Sequence, residues 1–82
     1  MTYRLAMARS ASRALDLDLP EAVASAAVEF VTGVLLENPL RVGKPLQPPL
    51  DGKWSARRGQ YRIIYTIDTA AQVVTVLHIA HR

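Results

Sequence analysis

The sequence predicts an α+β domain of order β-α-α-β-β-β, with two N-terminal helices packed on one face of a small, mostly antiparallel sheet. Three observations lead there. Apolar and polar residues alternate at the start of the chain and through its last third, and a period of two marks strands. Between these stretches, apolar residues recur at helical spacing. The last three strands are joined by connections of a few residues, which only antiparallel neighbours can use.

The elements follow in order. Tyr3, Leu5 and Met7 alternate with Arg4 and Ala6 and read as the first strand. Ser10 is placed to cap a short helix running to Leu15 or Leu17. Asp18-Leu-Pro-Glu21 has the spacing of a capping box, with Pro20 in the first turn where its missing N–H costs nothing. The helix that follows puts Val23, Ala27, Phe30, Val31, Val34 and Leu35 on one stripe, which is expected to face the core. Asn38 and Pro39 stop it. Residues 39–52 hold four of the five prolines and two of the four glycines, so they read as a loop or extended connector. Leu40, Val42, Leu46 and Leu50 are expected to tack it to the core.

A meander completes the order. Lys53 to Arg57 is its first strand, Arg58-Gly59 the turn, Gln60 to Asp68 the second strand. Thr69-Ala70-Ala71 is a loose turn, and Gln72 to Ala80 is the third strand. Two helices must cover one sheet face. The first strand, returning through the helical hairpin, can pair in parallel with a strand of the meander, and the second face stays open. Tyr61, Ile63, Tyr65 and Ile67 are apolar or aromatic and should meet the helices, which aims Arg62, Ile64, Thr66 and Asp68 at the open face. Strict alternation puts Val74, Val76, His78, Ala80 and Arg82 on one side of the last strand, with His81 on the other. Arg82 is then positioned to join Arg62.

Composition narrows the function classes. Eighty-two residues make one small domain, able to bury only about 60–65% of its unfolded surface. The absence of cysteine excludes disulfides and thiolate metal sites and suits a reducing cytoplasm. A hydrophobic content of 50% excludes a disordered tail. No apolar run reaches the roughly 20 residues of a membrane span, and the N-terminus lacks the apolar core of a signal peptide. The net charge of +3 is unevenly spread: residues 1–40 carry three basic and five acidic side chains, residues 41–82 seven basic and two acidic. A half so positive favours polyanions such as RNA, DNA or an acidic protein segment.

The candidate chemistry is cationic. Gly43-Lys-Pro lacks the second glycine and the helix of a phosphate loop, so no nucleotide cofactor is expected. His78 and His81 fall on opposite sides of a strand and cannot share a metal, and no metal site is expected. No Ser–His–carboxylate arrangement is defensible by spacing. Arg57, Arg58 and Arg62 surround one hairpin, with Lys53 at its start and Arg82 on the neighbouring strand. Guanidinium forks hold phosphate oxygens bidentately and stay charged at any relevant pH. His81, beside Arg82, is the candidate for proton transfer near neutral pH. Trp54 can stack on a base or fill the core.

Gly52-Lys-Trp-Ser-Ala-Arg-Arg-Gly-Gln-Tyr-Arg-Ile-Ile-Tyr-Thr-Ile-Asp68, followed by His78-Ile-Ala-His-Arg82, resembles the RelE/ParE superfamily of bacterial type II toxins. The likeness is greatest to the RelE-like mRNA interferases of mycobacteria and other actinobacteria. Pro39-Leu-Arg-Val-Gly-Lys-Pro-Leu46 and the order of helices extend it over nearly the whole chain. The resemblance implies a cytoplasmic, ribosome-dependent mRNA endoribonuclease that inhibits translation and is neutralised by a cognate antitoxin. The ribose 2′-hydroxyl would attack the adjacent phosphate, supported by basic residues on the concave sheet. Arg62 matches the family's arginine after Gly-x-Tyr, and Arg82 the arginine that ends its last strand. Lys53, Arg57 and Arg58 match its basic strand segment, with Ser55 where some relatives have lysine. Family members usually continue into a short tail bearing a tyrosine; its absence here implies slow cleavage with antitoxin binding kept. A ParE-like gyrase inhibitor and a non-catalytic antitoxin-binding module are the alternative expectations.

Overall fold

Strands rich in β-branched and aromatic residues form the centre of the sheet. The computed structural model describes residues 2–81. Its order is β1 (Arg4–Met7), α1 (Arg9–Arg13), a π-helical turn (Ala14–Asp18), α2 (Glu21–Thr32), α3 (Val34–Glu37), α4 (Pro39–Val42), β2 (Lys44–Pro45), β3 (Trp54–Arg58), β4 (Tyr61–Asp68) and β5 (Val73–His81). The strands lie in the order β1-β5-β4-β3-β2. β1 pairs in parallel with β5, from Arg4 opposite Val73 to Met7 opposite Val76. Every other pairing is antiparallel. The α+β architecture, the meander and the parallel return of the first strand are as the sequence predicts.

The helices bury one stripe against one sheet face. Ala27, Phe30, Val31 and Leu35 meet Tyr61, Ile63, Tyr65, Val74 and Val76 in a single hydrophobic cluster, joined by Ala11 and Ala14. Val34 departs from the predicted stripe and is 47% exposed. Gly33, at φ −120° and ψ −97°, separates α2 from α3 and resets the helical phase, so Leu36 is buried instead. The capping expectations are also corrected. Ala8, not Ser10, is the N-cap of α1, and Pro20 precedes α2 with no side-chain cap. Asp18 belongs to the π-helical turn, which Leu19 closes by donating to the Ala14 carbonyl at 3.0 Å. The Asp18–Glu21 capping box therefore does not form.

Three differences matter for the open face. The connector contains a strand: Lys44 lies opposite Ser55 and Pro45 opposite Trp54. Proline tolerates this place because an edge strand leaves its N side unpaired. The hairpin turn falls one residue later than expected, with Gly59 at φ 56°, so Arg58 stays in β3 opposite Tyr61. The last difference is a β-bulge. Tyr65 pairs with Val76 but Ile64 pairs with His78, leaving Leu77 unpartnered. The surplus residue reverses the alternation. Val74 and Val76 face the helices, whereas His78 and Ala80 face the opposite side and Ile79 enters the core. These residues do not share one side of the strand as strict alternation predicts.

Candidate functional site

Two rows of side chains cross the open face. In the first, Arg57 lies opposite Arg62, and Arg62 opposite Ala80. In the second, Lys44 faces Ser55, Ser55 faces Ile64, and Ile64 faces His78. Neighbouring strands are about 4.8 Å apart. Arg57, Arg62 and Lys44 are all exposed. A cavity of about 150 Å³ opens between Arg57, Tyr61, Arg62 and Ala80. A wider depression of about 490 Å³ continues past Arg57 and Arg62 to Lys44, Pro45, Leu46, Gln47 and Ser55.

Like charges directly opposed across a ladder repel. The open-face carboxylate of β4, Asp68, sits at the strand's far end and accepts a hydrogen bond from the Ala71 N–H at 2.9 Å. It is thus committed to its own turn. An anion bridging Arg57 and Arg62 would relieve their repulsion and receive two guanidinium forks. The scale of the two depressions suits a phosphodiester with its sugars, lying along the rows.

The sequence candidates separate on this surface. Arg57 and Arg62 come together. Arg58 does not join them: it lies opposite Tyr61 on the helix side, with its guanidinium carbon 4.8 Å from the centre of the Phe30 ring. Lys53 precedes β3 and is half-buried, its backbone bonded to Leu46 and Leu50. His81 lies opposite Tyr61, on the side away from Arg62. Arg82 lies outside the described residues.

Two residues the sequence reading did not assign to a site are on this face. Lys44 is brought there by β2; its signal was a cation in extended, proline-bounded chain, which is weak. Strict alternation already set His78 on the side assigned to Arg62; the bulge keeps it there while Val74 and Val76 turn to the core. Ser10 Oγ lies 3.0 Å from His78 Nδ1.

The nearby tyrosines are structural. Burial pushes the Tyr61 phenol up, with Arg58 opposing and Glu29 adding to the shift. Burial pushes Tyr65 up to about 12. Tyr65 donates to the Pro39 carbonyl at 2.7 Å and Tyr61 to the Ala26 carbonyl at 3.3 Å. Both stay protonated near neutral pH and cannot serve as bases there. Trp54 stacks on Tyr65, with ring centres 6.4 Å apart, and packs on the core. Among the described residues, no group of three or more His, Cys, Asp or Glu could hold a metal ion. No helix among them is long and apolar enough to cross a membrane.

Known proteins share this frame. The chain is 51% identical over 80 residues to Toxin RelE of Mycobacterium tuberculosis, covering 98% of this chain and 81% of that protein. It is 45% identical over 82 residues to Toxin RelG of the same organism, covering all of this chain and 93% of that one. Its fold superposes on a chain of the M. tuberculosis RelBE2 toxin–antitoxin complex with a TM-score of 0.96, at 44% identity and full coverage of both. An archaeal RelE–RelB complex from Pyrococcus horikoshii gives a TM-score of 0.75 at 28% identity, covering 100% of this chain and 97% of that one. Residues 10–82 match the family described as ParE toxin of type II toxin-antitoxin system, parDE, and with that match and those relatives the chain belongs to the ParE toxin family.

Proposed function

We propose that this chain is a RelE-type toxin that cleaves mRNA on the ribosome, in the cytoplasm, and is neutralised by a cognate antitoxin. The observation that carries the reading is the opposed pair Arg57 and Arg62 on an open face, with Lys44 at its border. Attack of a 2′-hydroxyl on the neighbouring phosphate adds negative charge to the phosphorus oxygens. Fixed guanidinium groups stabilise that added charge more than the ground state, which is how preorganised charge accelerates a reaction. The sheet supplies the fixing. Arg57 and Arg62 are anchored on paired strands whose other face is packed core. The RelBE2 and archaeal relatives occur in complexes with antitoxins, which supports an antitoxin partner here.

The test is induction of the chain alone in a bacterial host, followed by primer extension on a reporter transcript. New transcript ends that vanish when initiation is blocked are the expected result. The family description favours one other reading, inhibition of DNA gyrase, because it names ParE. Growth arrest with intact transcripts and altered plasmid topology would establish that alternative. Neither effect, with antitoxin binding retained, would leave a non-catalytic antitoxin-binding module.

A further inference from the structure

We propose that His78, oriented by Ser10, is the proton-transfer group of the cationic face. This rests on the ribonuclease reading above. The bulge at Leu77 puts His78 on Arg62's side of the sheet, where Ala80 opposite Arg62 is its next same-face neighbour. Residues so related on adjacent strands are diagonal neighbours, about 7–8 Å apart, within reach of one phosphodiester and its ribose. His78 is exposed, and Ser10 Oγ holds its Nδ1 at 3.0 Å. Ser10 is free for this because it does not cap α1, whose N-cap is Ala8.

The chemistry needs one tautomer. Nδ1–H donates to Ser10 Oγ, and the Nε2 lone pair is left for substrate. Nε2 takes the proton of the attacking 2′-hydroxyl. The O2′–P bond forms and the P–O5′ bond breaks. The 5′ oxygen leaves with a proton from water, giving a 2′,3′-cyclic phosphate and a 5′-hydroxyl. The imidazolium returns its proton to solvent, so no further reactant is needed. Arg57 and Arg62 carry the phosphate charge and take no part in proton transfer, because guanidinium groups do not deprotonate. The elements packed against β5 carry these charged residues: Arg62 and Asp68 on β4, Arg9 and Arg13 on α1, Asp16 and Asp18 on the π-helical turn, and Arg4 on β1.

The experiment measures cleavage by the full chain on purified ribosomes carrying mRNA, between pH 5.5 and 8.5. The unaltered chain should lose activity on the acid side as an imidazole protonates. His78→Gln should cut about 10²–10³-fold more slowly and lose that acid limb, with ribosome binding and melting temperature retained. Ser10→Ala should lose on the order of 10-fold while keeping the limb, since the ring remains but its aim is gone. Ser10→Thr keeps the hydroxyl and should restore the rate. A His78→Gln variant with normal rate and an unchanged acid limb overturns the inference and leaves the ribonuclease reading standing. If His78→Gln misfolds, equal rates for Ser10→Ala and Ser10→Thr overturn it instead. If the unaltered chain cuts nothing on ribosomes that a known interferase does cut, the ribonuclease reading fails and this inference falls with it.

Discussion

The two faces of β4 differ by one residue in sequence and by everything in chemistry. Tyr61, Ile63 and Tyr65 are buried under the helices, and the two tyrosine hydroxyls are satisfied by backbone carbonyls. Arg62, between the first two, is exposed opposite another arginine. Among the described residues, no buried side-chain polar atom lacks a partner, and that packed face holds the fold. The other leaves a repulsion for a ligand to relieve. The contrast teaches how so small a domain can hold two like charges close: rigidity on one side of a strand is what makes the charges on the other side fixed.

The strongest attempt to break this contrast is Arg62→Ala. Cleavage should fall about 10²–10³-fold, or roughly 2.7–4 kcal/mol of transition-state stabilisation, while stability changes by less than about 1 kcal/mol. Single-turnover cleavage and urea unfolding read the two effects separately. A variant that unfolds, or stays fully active, ends the assignment of Arg62 to a working face.

Gly43→Ala attacks the buried side. The backbone there, φ −119° and ψ −175°, suits any residue, so the demand is for space. A Cβ would overlap the Tyr65 hydroxyl and come within 2.8 Å of the Ser55 carbonyl. The expected loss is about 1–3 kcal/mol, visible as a lowered urea midpoint.

Tyr65→Phe is gentler and more specific. It leaves the Pro39 carbonyl without its 2.7 Å partner, at a cost of about 1–2 kcal/mol. The pH dependence gives a second signature. The unfolded phenol ionises near 10.0 and the folded one near 12. Between those values the folded state binds more protons, so stability is full below pH 10 and falls as pH rises toward 12. The loss should be on the order of 2–3 kcal/mol. Urea titrations at pH 9 and 11 should show the drop in the unaltered chain and a smaller one in the variant, which keeps the raised phenol of Tyr61.

Arg58→Ala should do least. It removes the contact with Phe30, worth about 0.5–1 kcal/mol, and leaves cleavage unchanged. Comparison with Arg57→Ala sharpens the point, because these neighbours fall on opposite faces. Equal losses of cleavage in the two variants would mean the faces are not functionally distinct.

Much of this was legible in the residues. The alternation through Tyr61–Asp68 assigned both faces of β4 correctly, because a strand buried on one side writes its environment with a period of two. The helical stripe was legible as far as Gly33, where the phase breaks. Arg58 was separable from Arg57 by the same alternation, once the turn is placed on Gly59 and Gln60. Other features leave no local trace. β2 is two residues, one of them proline, and exists because the edge of β3 accepts it. The bulge depends on how two strands pair, so neither strand's sequence contains it. His78 and Ser10 are 68 residues apart, and only the tertiary fold makes them neighbours. Lys44 was missed because the residues around it carry too little strand signal to assign it a face.

The parallel pairing of β1 and β5 has a consequence for synthesis. β1 is made first, yet its ladder partners are Val73 to Val76. β5 lies between β1 and β4 and brings Val74, Val76 and Ile79 to the core. Until that strand has left the ribosome, the emerging chain has an unpaired first strand and a hydrophobic centre with no middle. Contacts of such sequence separation form late, and a growing chain cannot form them before both partners exist. Helices and the β3–β4 hairpin can precede it; a closed sheet cannot.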